Sequence, residues 1–318
     1  MIKSLLASLV PASLLLLAPD GRAAAADLTR DEVVAKLDEF CRGFEPLGAR
    51  GSDISSLLDQ MADDSSFQFA HEPEPSSKGK LVEQFTPMLP LADGVSVRPV
   101  RHLVGKNRGL VEFAATHNCR NGELSHMAPG SVIVVDFDPD SGKATLVHDV
   151  YDAYDFLANL GKCVGAPPPQ LAGDVSAETL RSVADADLTA YSTAFSQPGG
   201  PSFPHYADDV VVRTLVDGVA ARSRTEWEEY FKNVGAFTKD MHVHRAGNVM
   251  LGANSVGYHW QSAVRGPNGR VATFDGFLHL RVGKDGKVTH VYDTWDHEAV
   301  QAAIAEVTGP VEGAHDDL

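Results

Sequence analysis

The chain has 318 residues, 43% hydrophobic and 22% charged, close to ordinary globular usage. A formal net charge of −16 repels phosphate backbones and anionic lipid surfaces, which argues against nucleic acid as a partner. The length exceeds what one compact core usually takes, so two domains are expected.

In chain order, Lys3 precedes an apolar run from Leu5 to Ala18, and four alanines, Ala23 to Ala26, follow. Charge, apolar run and small residues in that order predict a secretory signal over residues 1–26, cut near Ala26. The run is broken by Ser4, Ser8, Pro11 and Ser13 and falls short of the roughly 20 apolar residues a span requires. The expected mature protein is secreted or periplasmic, with no membrane segment left after cleavage. Cys41, Cys119 and Cys163 all lie in the first half. Export permits one disulfide among them, and the spacing does not choose the pair.

An internal repeat organises the rest. Val150-Tyr151-Asp152-Ala153-Tyr154-Asp155 returns 141 positions later as Val291-Tyr292-Asp293-Thr294-Trp295-Asp296. Ala62-Asp63-Asp64 returns as Ala207-Asp208-Asp209, each ahead of a strand-like run, and Leu81 to Phe85 returns as Trp227 to Phe231. Pro167-Pro168-Pro169 breaks helix and ladder alike and marks the boundary. The expected domains are 27–165 and 174–308, with a proline-rich linker over 166–173 and an acidic tail over 309–318.

The second copy predicts a helix opening at Ser176 and running toward Phe195, a strand after Ala207-Asp208-Asp209, and a short helix capped by Thr225. Strands follow over Met241 to Ala246, with Val249 to Leu251 as a continuation, then Ser255 to Val264, Ala272 to Val282 and Lys287 to Trp295. A closing helix runs from His297 to Ile304. The expected class is α+β, two tandem cone-shaped domains in which a curved, mostly antiparallel sheet wraps around helices. The two sheets are expected to cover each other as an internal pseudo-dimer, giving a monomer or a weak homo-oligomer.

The element order, the Ala-Asp-Asp opening and the ending Asp285-Gly286-Lys287-Val288-Thr289-His290-Val291-Tyr292-Asp293-Thr294-Trp295-Asp296 resemble the nuclear transport factor 2-like superfamily, in particular its SnoaL-like, polyketide cyclase-like branch. The resemblance implies a cone with a small-molecule pocket, no cofactor and no metal. It also implies that Asp293, on the last strand, acts as general acid or base. A carboxyl flanked on its strand face by Val291 and Trp295 would lose solvent, and its pKa would rise toward the working range. With a three-residue hairpin loop at Lys284-Asp285-Gly286, Phe277 lies opposite Asp293 and His279 is its diagonal neighbour on the same face. A two-residue turn would shift the pairing by one and place Leu278 there.

The expected site is therefore catalytic Asp293 with His279, in a pocket lined by Tyr191, Phe195, Trp227, Tyr258, Trp260, Phe277 and Trp295. The expected activity is isomerisation, cyclisation or dehydration of a small lipophilic carbonyl compound. Asp152 is the first copy's equivalent of Asp293, but that copy carries Val132-Ile133-Val134-Val135 where His279 stands, so a degenerate first copy is expected. His242-x-His244, with His259 or His205, is a weaker candidate metal pair, and Asp275 a candidate second acid on the Asp293 face. The alternatives are a secreted module that binds a small hydrophobic ligand without turnover, and a structural pseudo-dimer that binds another protein. An open cone would separate the first two readings from the third.

Overall fold

The computed structural model describes residues 27–45, 54–86, 92–127, 129–193, 201–215, 218–235 and 240–309. The signal segment, Phe195 and the acidic tail beyond Gly309 lie outside these residues. Among the described residues, no helix is long and apolar enough to cross a membrane.

The first half opens with α1 (Arg30–Arg42), where Thr29 and Glu32 form a reciprocal capping box, and a turn of helix, α2 (Ser55–Leu58). Next come β1 (Met61–Phe69), β2 (Ser76–Ser77), α3 (Lys78–Phe85), β3 (Ala92–Gly105), β4 (Arg108–Cys119), β5 (Leu124–His126), β6 (Val132–Phe137), β7 (Ala144–Val150) and α4 (Ala153–Val164). The second half runs α5 (Ala177–Thr193), β8 (Tyr206–Thr214), β9 (Gly218–Ala221), α6 (Arg224–Gly235), β10 (Asp240–Leu251), β11 (Ser255–Arg265), β12 (Val271–Val282), β13 (Val288–Trp295) and α7 (His297–Thr308).

Each half forms its own sheet, in matching order: β2-β1-β7-β6-β4-β3 with β5 beside β4, and β9-β8-β13-β12-β11-β10. All pairings are antiparallel except β1 with β7 and β8 with β13, so the class is α+β and the tandem organisation is evident in the topology. Ser176 accepts from the Thr179 amide and starts α5 as expected. The cap of α6 is Ser223, which accepts from the Glu226 amide, rather than Thr225. Thr225 falls inside the first turn, where its hydroxyl cannot serve as Ncap.

Each sheet packs its helices on one face. Val33, Leu37, Phe40 and Cys41 of α1 join the first core, and Leu180, Val183, Ala184 and Tyr191 of α5 join the second. A third apolar cluster takes residues from the opposite faces of both sheets, among them Leu103, Leu110, Val134 and Val150 from the first half and Leu215, Met250 and Phe277 from the second. The two sheets therefore cover each other within one chain. Lys106 N donates to Leu215 O at 3.1 Å and Ala253 N to Ala70 O at 2.7 Å. Gly105 is required at this contact, because a Cβ there would run into the Leu215 carbonyl.

Candidate functional site

The β12–β13 hairpin decides the fate of the expected pair. Its turn is the one anticipated, with Gly283 N on Lys287 O and Gly286 at φ 75°. Beyond it the register slips: Val282 pairs with Val288 but Arg281 pairs with His290, leaving Thr289 as an extra residue. That bulge puts Leu278 opposite Asp293 and His279 opposite Tyr292. His279 therefore faces away from Asp293, and the expected dyad does not form.

His279 is buried between the two halves. Its ring stacks on Tyr292 at 5.6 Å and meets His148 of the first half edge-on at 5.7 Å. None of the four ring nitrogens of His148 and His279 has a hydrogen-bond partner. Burial lowers both pKa values, that of His279 to about 3. Phe277 shares this face, in the cluster between the sheets, and is no pocket residue. Asp275 is on the same side, ion-paired with Arg101 of the first half, and so lies across the sheet from Asp293.

Asp293 itself is 2% exposed, among aromatic side chains of the second core. Tyr191 Oη donates to its Oδ2 at 3.0 Å and Trp260 Nε1 to its Oδ1 at 3.2 Å. Burial raises its pKa to about 7, with Asp187 adding to the rise and the two donors opposing it. Asp187, on α5, is fully buried and accepts from Tyr206 Oη at 2.6 Å, Tyr258 Oη at 2.8 Å and His205 Nε2 at 3.1 Å. Its signal was present in the sequence: Asp187 stands on the helical stripe of Leu180, Ala184 and Tyr191, where a polar residue has to be buried. Of the expected lining, Tyr191, Trp227, Tyr258 and Trp260 are packed core, and Trp295 packs against it half-buried. In this interior Tyr191 and Trp260 donate to Asp293 and Tyr206 and Tyr258 to Asp187, while Trp227 Nε1 is buried without a partner.

The histidines considered for a metal do not converge. His242 is exposed and paired with Asp240, His259 contacts Gly130 O and Arg101, and His205 is held by Asp187. Among the described residues, no three metal-ligating side chains gather.

The open cone belongs to the first copy. A cavity of about 230 Å³ lies between the sheet and its helices, walled by Phe44, Phe69, Phe85, Val97, Phe113, Met127, Ile133 and Phe156, with Asp149, His71, Tyr151, Glu72, Gln84, His117 and Ser125 as its polar lining. Helix α4 closes one side with Phe156, Leu160 and Cys163. A disulfide from Cys163 to Cys119 ties that helix to the end of β4. Cys41 is a buried free thiol whose pKa burial pushes up to about 12.

Asp149 is the carboxyl of this lining whose pKa burial raises most clearly. It pairs across the ladders with Phe69 on β1 and Ile133 on β6, so apolar neighbours flank it on both sides. Its Oδ1 has no hydrogen-bond partner, and burial raises its pKa to about 8.

Registers identify it as the counterpart of Asp293. Asp293 faces Leu278, which faces Tyr258; Asp149 faces Ile133, which faces Val111. Two residues further along the inner strand, Trp260 in one copy corresponds to Phe113 in the other. Asp152 is not the equivalent residue: it is the Ncap of α4 and accepts from the Asp155 amide at 3.0 Å. Asp296 does the same for α7, accepting from the Ala299 amide at 3.0 Å. Aligning the two caps, at an offset of 144, brings His148-Asp149-Val150-Tyr151-Asp152 onto Tyr292-Asp293-Thr294-Trp295-Asp296. The helix cap was the signal that finds Asp149, because closing helices cannot shift against their strands as a loop can.

No protein-family model and no curated protein matches the chain. Among solved structures with a similar backbone are the pinacolase BvnE of Penicillium brevicompactum, at 12% identity and a TM-score of 0.36 over 45% of this chain and 100% of that one, and a SnoaL-like protein of Jannaschia sp. CCS1, at 12% and 0.35 over 44% and 100%. An LEH-like epoxide hydrolase of M. tuberculosis matches at 15% and 0.33 over 42% and 89%. SnoaL-like and NTF2-like proteins are thus among the structural neighbours, each aligned over 38–45% of this chain.

Proposed function

We propose that the first copy binds a small, largely apolar carbonyl compound in its cavity and that Asp149 exchanges a proton with it, as in an isomerisation, cyclisation or dehydration. The supporting observation is a carboxyl on the cavity wall whose Oδ1 has no hydrogen-bond partner among the described residues. With a pKa near 8, Asp149 is mostly in its acid form at neutral pH and close enough to ionisation to give or take a proton. Asp293, whose oxygens both accept donors in a filled interior, serves instead to hold the second copy together. The second copy is then a structural partner that buries the back of the first sheet. The signal expected from residues 1–26 supports an activity exercised after export, in a compartment that would sustain the Cys119–Cys163 disulfide.

The test is deuterium exchange at the α-carbon of enolisable cyclic ketones in D2O, followed by NMR. Exchange catalysed by wild type and lost in Asp149→Asn, with the fold intact, supports the reading. Binding without exchange in wild type would instead make the cavity a carrier site, and equal exchange in wild type and Asp149→Asn would remove Asp149 from the chemistry.

A further inference from the structure

Resting on the cavity reading above, we infer that His71 and Tyr151 form a fixed hydrogen-bond donor that selects ligands with an acceptor oxygen, such as the carbonyl of a ketone, enone or quinone, over isosteric ligands without one. His71 follows β1 directly, and its ring is stacked on both Phe69, at 5.2 Å and 27°, and Phe156, at 5.4 Å and 26°. Two aromatic faces from different elements fix the plane of the imidazole. Its Nδ1 is in hydrogen-bond contact with the Tyr151 hydroxyl, which is otherwise enclosed, since Tyr151 is 2% exposed.

The tautomer follows from hydrogen-bond accounting. Among the described residues the enclosed Tyr151 hydroxyl has no hydrogen-bond contact but the one to Nδ1, so its proton goes there. A neutral imidazole that accepts at Nδ1 carries its hydrogen on Nε2 and can only donate there. Burial keeps the ring neutral by lowering its pKa to about 4. Elsewhere in the lining, Glu72 is engaged by Ser76 and Gln84, and Asp149 in its acid form is a second donor. At the His71 end of the cavity the group left to a ligand is therefore a donor, and the complementary ligand group there is an acceptor oxygen; Gln84 Oε1, also in the lining, is left without a partner as well. A site built this way penalises a ligand that leaves the donor unpaired.

The experiment compares 1-indanone with 1-methyleneindane, similar in shape but lacking the oxygen, by calorimetry on the full chain. Wild type is expected to bind the ketone about ten-fold more tightly, the effect of one net hydrogen bond. The preference should shrink toward unity in His71→Leu and in Tyr151→Phe, with melting curves confirming that each variant folds. Imidazole 15N shifts give a readout independent of affinity: His71 should show the Nε2–H form in wild type and a mixture in Tyr151→Phe. No preference in wild type, a preference unchanged in both variants, or a proton on Nδ1 would overturn the inference. If neither compound binds, the cavity reading falls with it; if the preference holds while Asp149→Asn leaves exchange intact, only the proposed reaction falls.

Discussion

The two copies solve the same problem in opposite ways. Each buries an aspartate on its last long strand, Asp149 and Asp293, at the same place in the same ladder. In the second copy Tyr191 and Trp260 reach the carboxyl, and the interior closes around the bonded group. In the first, Phe113 stands where Trp260 does and Phe44 lines the cavity, and Asp149 Oδ1 has no hydrogen-bond partner among the described residues. A buried carboxyl with donors is a structural joint; one without them, beside open volume, is a reagent waiting for a ligand. Duplication let one half keep stability while the other kept space.

The largest effect that tests this contrast is on proton exchange. Asp149→Asn should lower the α-carbon exchange rate by about 10²–10⁴-fold, the usual contribution of a general acid or base. Asp293→Asn should leave it within about three-fold, since that side chain lies in the other interior. Equal losses from both would break the comparison.

Stability should divide along the same line. Copy one has a cavity and a disulfide, whereas copy two has packed aromatics and no cysteine. Replacing Cys119 and Cys163 together by serine should cost about 4 kcal/mol from the loop they close, read by urea unfolding, and should weaken ligand binding because α4 forms one wall of the cavity. Tyr191→Phe should cost about 1–3 kcal/mol by leaving an Asp293 oxygen unpaired in a closed interior. The reverse change, Phe44→Tyr, should bring the apparent Asp149 pKa down if its hydroxyl reaches the carboxyl.

The smallest effects are in the pH dependence of stability, where the two kinds of buried group oppose each other. Asp149 and Asp293 have folded pKa values raised to about 8 and about 7, so between about pH 4 and those values the folded state holds more protons than the unfolded. Their contribution falls as pH rises through that window. His148 and His279 have lowered folded values, so below about pH 6.5 the unfolded state takes up the extra protons. Their contribution is complete above that pH and fades in acid. Around this pair lie Arg281, Arg213 and His290, which further disfavour the charged rings. Thermal melts should show Asp149→Asn gaining on wild type as pH rises from about 4 to about 8, and His279→Leu gaining as pH falls below about 6.5.

Much of the second copy was legible residue by residue. Strands over Ser255 to Val264 and Ala272 to Val282 and the turn at Gly286 fall within a residue or two of β11 and β12, because alternation and turn chemistry are local. Asp293 as a buried carboxyl with a raised pKa was also legible from its apolar strand neighbours. His279 was misplaced for a reason no local pattern reveals: one bulged residue, Thr289, past a correctly read turn reverses every side chain beyond it. The repeated letters Val-Tyr-Asp point to Asp152 as the counterpart of Asp293, whereas the matched helix caps Asp152 and Asp296 point to Asp149.

By itself, the sequence determined that the chain carries two copies of one α+β unit and that the second ends in a strand bearing Asp293 followed by a short helix. These follow from periodicity, proline and capping, which act over a few residues. Only the tertiary structure decided which aspartate faces a cavity and which faces a tyrosine, that Cys119 is the partner of Cys163, and that the expected catalytic histidine lies between the sheets. The physical reason is that open volume and hydrogen-bond satisfaction depend on side chains from the turn after α1, from β4, β7 and α4 meeting at one point, over distances in sequence that no periodicity spans.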